Sequence, residues 1–306
     1  MDASIIIPSL DGGCRFIECA NAIAQQQYPG EFEVVIIDSG SQDGSIGQVT
    51  SIFRDSSIPC KLLQIPKSTF KHGPTRNDAA EQSSGQYLAF LTQDAVPHDP
   101  RWLAHLLDPY QSGGDPGIVG TFGRHLAHQG HPSLLARNMD NHFNHMQTQP
   151  LRFIENRGTY NQNEQVRQFL HFFSNNNSSM LRSEWELHPF PDVDFGEDQT
   201  WAKEAIEAGK RIYYCHDAAV HHSHLYSIVA NCKRAVVEMR YYYKYFGYDI
   251  SQKPSRYIHY IVSAIHNDIR WMIREKAFNW ANLSATFHSH VGGGFGRSFF
   301  KITRSK

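Results

Sequence analysis

Three acidic positions stand where strands end or helices begin, and they are the groups in this chain best placed for chemistry. Asp94 follows the apolar run Tyr87–Leu91 after a Thr92-Gln93 step. In open parallel sheets ligands gather beyond the carboxyl ends of strands, so an acid there can meet a substrate or a cation. The same acid, ahead of Pro97 and Pro100, could instead cap the next turn. A lone carboxylate holds a divalent cation weakly, so a metal site would need substrate phosphates and another side chain, as at a diphosphate. Glu197 and Asp198 open a helical pattern in FGEDQTWAKEAIEAG. The helix dipole favours such an acidic first turn without any ligand. A carboxylate there could equally serve as a base toward an incoming hydroxyl. Asp38 ends a β-branched run before a Gly/Ser turn, where it could accept hydrogen bonds from a ribose or a base edge. Asp43, just before Gly-Ser at a helix start, needs only the role of a helix cap.

Basic and imidazole groups flank these acids. His72, Arg76 and Asn77 precede the strand that leads to Asp94. An arginine at a helix start near a strand end suits a phosphate or base contact, although a solvated arginine reads the same way. His221, His222 and His224 follow the acidic helix and a strand. A chain with 18 histidines shows clusters by chance; here one imidazole could complete a coordination begun by Asp94. His125, His128, His131, His142 and His145 keep no metal-site spacing and are expected at the surface.

The elements that must position these groups alternate through the first 120 residues. Strand patterns at Ser4–Ile7, Phe32–Ile37, Cys60–Ile65 and Tyr87–Leu91 are separated by helix patterns at Cys14–Gln27, Ser45–Phe53 and Asp78–Ser84. Apolar strands alternating with helices predict a parallel sheet covered on both faces. Residues 121–170, rich in His, Asn and Gln, are expected to wrap over the sheet edge. Order resumes with a strand at Ser178–Leu181, a helix at Asp198–Ala208 and a strand at Arg211–Cys215. Beyond 226 the pattern is helical: Ile228, Cys232, Ala235, Met239 and Tyr243 share one face, and a second helix runs from Tyr257 to about Arg274.

The chain of 306 residues, 41% hydrophobic and 19% charged, can bury a full core. A net charge of -1 argues against a surface built for nucleic acid. The five cysteines (Cys14, Cys19, Cys60, Cys215, Cys232) are odd in number and never in a Cys-x-x-Cys pair. That favours reduced thiols in a cytosolic setting. The start MDASIIIPSLDGG lacks the basic opening of a signal peptide, and no run approaches the ~18 apolar residues that cross a bilayer. A soluble or peripheral protein is expected. Neither G-x-G-x-x-G nor a P-loop is present.

Taken together, SIIIPSLDGG, VVIIDSGSQDGS, FKHGPTRNDAAEQSSGQYLAFLTQDAVP, the FGEDQTWA segment and AVHHSHLYS resemble the inverting family 2 glycosyltransferases, over roughly residues 4–226. HGPTRN with FLTQDA resembles the bacterial rhamnosyltransferase branch. The resemblance implies an α/β GT-A fold, with a Rossmann-like, mostly parallel central sheet flanked by helices and a C-terminal helical extension. It divides the chain into a nucleotide-sugar-binding half (1–120), an acceptor-binding and catalytic half (121–226) and a helical region (227–306). Pro8, Ser9 and Asp38 would hold the nucleoside, Arg76 would lie near the base or diphosphate, and Asn77 and Gln93 would line the same site. Asp94 corresponds to the last acid of the Asp-x-Asp motif and would bind Mg2+ or Mn2+ under the diphosphate, with His222 or His224 as the remaining protein ligand. Asp198 would be the base, and Glu197 would support it or orient the acceptor.

Two positions depart from the family pattern. Thr92 replaces the motif's first acid, which removes one carboxylate and makes a histidine ligand more necessary. The Gln-x-x-Arg-Trp motif of processive members is absent, so one sugar per event is expected. The implied reaction is a single displacement with inversion, giving an α-rhamnoside from dTDP-L-rhamnose; UDP-galactose or another UDP-hexose stays open as donor. The implied acceptor is a glycan or lipid-linked saccharide of a bacterial surface polysaccharide. A sugar nucleotidyltransferase would need a Gly-rich basic loop near the N-terminus, which SLDGGCR fits poorly. A non-catalytic glycan-binding subunit would not need Asp38, Asp94, the Glu-Asp pair and the histidines together. RYYYKYF and RWMIREKAFNW read first as packing against the core or another subunit. They are also compatible with a peripheral contact at the inner face of the cytoplasmic membrane.

Overall fold

The computed structural model describes residues 1–111, 115–248 and 254–304. Its strands are β1 (Ala3–Ser9), β2 (Phe32–Asp38), β3 (Cys60–Gln64), β4 (Tyr87–Leu91), β5 (Val96–Pro97), β6 (Ile118–Leu126), β7 (Leu151–Arg152), β8 (Asn177–Leu181) and β9 (Arg211–His221). Its α-helices are α1 (Gly13–Ala24), α2 (Ser45–Asp55), α3 (His72–Glu81), α4 (Trp102–Gln111), α5 (Ser133–Gln147), α6 (Arg157–Gln162), α7 (Glu164–His171), α8 (Arg182–Leu187), α9 (Glu197–Glu207), α10 (Ile228–Phe246), α11 (Pro254–Arg274) and α12 (Trp280–Arg304). They form two compact units: Met1–Leu126 with Phe143–His222, and Ala127–His142 with Ser223–Lys306.

The first unit contains one sheet in the order β3-β2-β1-β4-β8-β6-β9-β5, with β7 also on β9. β1 pairs in parallel with β2 and β4, β2 with β3, and β6 with β9. β8 runs antiparallel between β4 and β6, and β5 and β7 run antiparallel to β9. Strands β1–β4, β6 and β9 therefore all end at the same edge, and β8 begins there. The expected mostly parallel α/β sheet is what forms. Its cause is the β-branched runs: all seven residues of β1 are buried, as a strand covered on both faces requires. Successive side chains feed opposite layers. Ile6 joins Val35, Leu88, Phe90 and Trp201 on one face; Ile5 and Ile7 join Phe16, Val34 and Trp102 on the other.

Two expectations are corrected here. Residues 121–170 do not simply wrap over the sheet edge, because β6 lies inside the sheet between β8 and β9. Glycines mask the strand in the sequence, and close packing demands one of them. A Cβ on Gly123 would lie 2.0 Å from the Ala218 carbonyl oxygen. The last strand also outruns Cys215 and continues to His221. Polar His216 and Asp217 hide this continuation, and a register shift in β6 between Gly123 and His125 absorbs the irregularity.

In the second unit, α12 packs on both α10 and α11, and Asp268 of α11 is buried between α12 and the segment 127–142. Burial would raise the carboxyl pKa of Asp268, but hydrogen bonds from His290, Thr286 and Arg137 outweigh it and hold the group at about 2. Among the described residues, no helix is long and apolar enough to cross a membrane.

Candidate active site

The common strand edge collects the groups singled out in the sequence. Ser9 ends β1 and its hydroxyl donates to Gln93 Oε1 at 2.9 Å; the Leu10 N–H donates to the same oxygen at 2.9 Å. Gln93 Nε2 donates back to the Leu10 carbonyl at 3.0 Å. The amide of Gln93 thus ties the Pro8-Ser9 end of β1 to the segment carrying Asp94. Asp38, 3% exposed, accepts from the Ser41 hydroxyl at 2.5 Å and from the Gly40 and Ser41 N–H groups at 3.2 and 3.1 Å. Its carboxylate fixes the Gly/Ser turn. Asp43 is not the N-cap of α2, a position that Gly44 takes with a left-handed φ of +77 and no side-chain cap bond; one residue earlier, Asp43 accepts from the Ser45 N–H at 3.0 Å and, through its other oxygen, from the Gly13 N–H at 2.7 Å.

Asp94 Oδ1 stands 3.7 Å from His222 Nε2, and only 11% of the His222 side chain is exposed. That separation is too long for a hydrogen bond. It is short enough for one cation to reach both atoms through bonds of about 2.1 Å each. A hard carboxylate with an imidazole suits Mn2+, and suits Mg2+ when phosphate oxygens complete the shell. The donor set therefore fits a divalent ion. At the position of the missing acid, Thr92 Oγ1 is buried without a hydrogen-bond partner. His221 turns elsewhere: its Nε2 lies 2.9 Å from His98 Nδ1 across the β5–β9 pairing. Adjacent residues at a strand end point to opposite faces, which separates His221 from His222. His224 belongs to the second unit, where it is exposed and its ring centroid lies 5.4 Å from that of Tyr226.

The acidic pair at the start of α9 is built differently. Gly196 precedes it with φ +72, a left-handed turn that glycine adopts without strain. Glu197 is 5% exposed and its Oε1 accepts from Arg76 Nη1 at 3.2 Å and from Asn175 Nδ2 at 3.1 Å. Arg76, only 3% exposed, also donates to the His72 carbonyl at 2.9 Å. It is therefore not solvated, and its guanidinium is committed to Glu197 and the first turn of α3. Burial, aided by Arg76, holds the His72 imidazole below its usual pKa against the pull of Glu197.

Asp198 receives the Asn175 N–H at 3.1 Å and the Gln199 N–H at 2.8 Å, and it keeps partial access to solvent. Burial first, and the Glu197 charge second, raise its pKa to about 7; the two N–H bonds and Arg76 oppose them. A carboxylate with a pKa near neutrality is an effective proton acceptor at physiological pH.

Asn77 takes a structural part. Its amide oxygen accepts from Trp185 Nε1 at 3.0 Å and the Phe190 N–H at 3.1 Å, and its Nδ2 donates to the Phe190 carbonyl at 2.8 Å. The oxygen is thereby used up in fixing the loop before α9. Three residues escaped the sequence reading. Asn175 looked like one more turn residue in SNNNS, yet it holds both acids because β8 begins at the shared edge. His125, expected at the surface, is 7% exposed on β6 with its ring 5.3 Å from that of His222. His128 is likewise buried, at 6% exposure, and its N–H donates to Ser223 Oγ at 2.9 Å. Spacing along the chain carried no signal for either.

This edge gathers a carboxylate pushed up to about 7 at the start of one helix and a carboxylate–imidazole pair at the strand ends. The family model for glycosyl transferase family 2 matches residues 4–184. The chain belongs to this family and is a glycosyltransferase with the GT-A fold. It is 32% identical over 233 residues to the O-antigen chain rhamnosyltransferase RfbN of Salmonella typhimurium, covering 74% of this chain and 68% of that one. It is 30% identical over 230 residues to the O-antigen chain rhamnosyltransferase WbaN of Salmonella anatum, covering 73% and 67%. Among solved structures, a mannosyltransferase from Pyrobaculum calidifontis in complex with GDP-Man and Mn2+ shares the fold, with TM-score 0.63 and 15% identity over 98% of this chain and 87% of that one.

Proposed function

We propose that the protein transfers L-rhamnose from dTDP-L-rhamnose to a hydroxyl of a glycan or lipid-linked saccharide during synthesis of a bacterial surface polysaccharide. The observation that carries the catalytic reading is the setting of Asp198: a carboxylate at the strand edge, partly open to solvent, held by the Asn175 and Gln199 N–H groups beside a locked Glu197, with burial and that neighbouring charge pushing its pKa up. Asp198 takes the proton from the acceptor hydroxyl as its oxygen attacks the anomeric carbon, and the bond to the diphosphate oxygen breaks on the opposite face. Configuration inverts, so a β-linked donor yields an α-rhamnoside. Glu197 does not touch the reacting atoms. Locked by Arg76 and Asn175, it fixes the first turn of α9 and raises the pKa of its neighbour.

Asp94 and His222 would hold a divalent cation. Such an ion offsets the charge that develops on the departing diphosphate. Pro8, Ser9, Asp38 and Gln93 shape the nucleoside side of the site through the turn and the amide clamp already described. The choice of rhamnose rests on RfbN and WbaN, both named as O-antigen chain rhamnosyltransferases. An acceptor carried on a lipid would bring the protein to the membrane surface as a peripheral enzyme.

The test is a donor screen. Purified protein with manganese is offered dTDP-L-rhamnose, UDP-galactose, UDP-N-acetylglucosamine and GDP-mannose, and release of nucleoside diphosphate is followed. Turnover with dTDP-L-rhamnose well above the others is expected. Preference for a UDP- or GDP-sugar would overturn the donor assignment and leave the base assignment standing.

A further inference from the structure

Within the first unit, α5, β7, α6 and α7 enclose a cleft of about 470 Å³. None of the residues assigned to catalysis or donor binding lines it. Half-buried Phe153 and Phe169, with buried Tyr160, supply its aromatic surface, and exposed Gln149 and Gln165 supply amides at its rim. No lysine or arginine lines it, and Glu155 is its one carboxylate. A phosphate or carboxylate ligand would call for cationic partners. A neutral polyol calls for what is present, namely aromatic faces for its C–H surfaces and amides for its hydroxyls.

The walls are preformed. Arg152, 0% exposed, donates to the carbonyls of Gln149 at 2.8 Å and Met146 at 3.2 Å and to that of Phe169. Its guanidinium also lies 3.7 Å from the centroid of the Phe169 ring. One buried cation thus stitches the end of α5, the loop before β7 and the end of α7 into a single wall. Burial lowers its pKa to about 9, still charged at neutral pH. On the opposite side the Tyr160 hydroxyl donates to Glu207 Oε1 at 2.6 Å and lies 2.9 Å from His171 Nε2. Glu207 ends the helix that Glu197 and Asp198 begin. Asp198 and Glu207 are separated by about 14 Å of helix rise, nine residues at about 1.5 Å each.

We infer that this cleft is a secondary saccharide site, which holds sugars of the acceptor chain remote from the hydroxyl that reacts. The inference rests on the glycan acceptor proposed above. The separation exceeds the span of a single sugar, so only an oligosaccharide can occupy the cleft while its end lies at Asp198. Such a site lowers KM for long acceptors without changing the chemical step, because the interaction is the same in the ground and transition states.

The experiment uses the full chain and a ladder of rhamnose oligosaccharides, from the monosaccharide upward, as neutral saccharide probes of graded length. For the native protein KM should fall as the acceptor lengthens, with kcat unchanged. The double variant Gln149→Ala/Gln165→Ala, which alters two exposed side chains, should keep its melting temperature and its KM for the shortest acceptor. Loss of two neutral hydrogen bonds should raise KM for the long acceptors about tenfold. Phe153→Ala, tested in parallel, should show the same length-dependent loss. A KM independent of length in the native protein, or one unchanged in the variants, overturns the inference. Calorimetric titration of the long oligosaccharides without donor separates the two readings. If the donor screen shows no turnover of dTDP-L-rhamnose, the proposed function fails, but binding of the oligosaccharides that the variants weaken still supports the cleft. If transfer occurs and nothing binds there, the cleft alone is refuted.

Discussion

Asp198→Asn keeps the shape of the side chain and removes its ability to accept a proton. The Asp198 carboxyl, ordinarily near 3.8, is raised to about 7 by burial and then by the charge of Glu197. A shift of about 3 pK units is worth about 4 kcal/mol, an upper bound for a group that retains some solvent access. Because the folded pKa lies above the unfolded one, the native fold is favoured by this group below pH ~4, and the advantage is lost as pH rises through about 7. Chemistry runs the other way, since only the ionised form accepts the proton. The native enzyme should therefore gain activity and lose stability over the same pH interval. Two assays check this: kcat/KM for release of nucleoside diphosphate, and melting temperature, each followed across about pH 5 to 9. The acid limb of the rate profile should be centred near 7. The Asn variant should keep donor binding, lose 10²–10⁴-fold in transfer, and melt at a temperature less dependent on pH. An acid limb centred near 4, or an Asn variant with near-normal turnover, would falsify the assignment of Asp198 as base.

Glu197→Gln removes the charge that helps to raise Asp198, so the acid limb should move to lower pH. It also leaves Arg76 buried without its counter-ion, at a cost of about 3–5 kcal/mol, visible as a lower urea midpoint; an unshifted acid limb would count against the coupling. Asp94→Ala should weaken donor binding measured by calorimetry in the presence of manganese and leave the melting temperature of the donor-free protein nearly unchanged. Chelation of divalent ions should abolish transfer by the native enzyme, and full activity in excess chelator would remove the role given to Asp94 and His222.

Much of the site was legible in the linear order because local rules write it there. The β-branched runs at residues 4–7, 32–37 and 87–91 specify buried parallel strands, and such strands deliver whatever follows them to one edge. That places Asp38 and Asp94 without any knowledge of distant contacts. The acidic first turn of α9 is equally local: a glycine at positive φ, then Glu-Asp at a helix start. Less local elements were hidden. β6 carries a glycine, Gly123, required by the close approach of β9, and the irregular middle of β9 breaks the alternation that marks a strand.

The sequence by itself determined the family, the strand-edge placement of the acids and the identity of the pair Glu197-Asp198, since each depends on residues adjacent in the chain. Only the tertiary structure gave the two members of that pair different surroundings. Arg76 and Asn175 come from elements 121 and 22 residues away from Glu197, and their hydrogen bonds leave Glu197 locked. Asp198 is left half-buried beside a fixed negative charge, which with burial pushes its pKa up to about 7. The tertiary structure also divided the histidines, setting His222 against Asp94 and His221 against His98. Burial and proximity to charge are properties of the packed chain, and no run of adjacent residues encodes them.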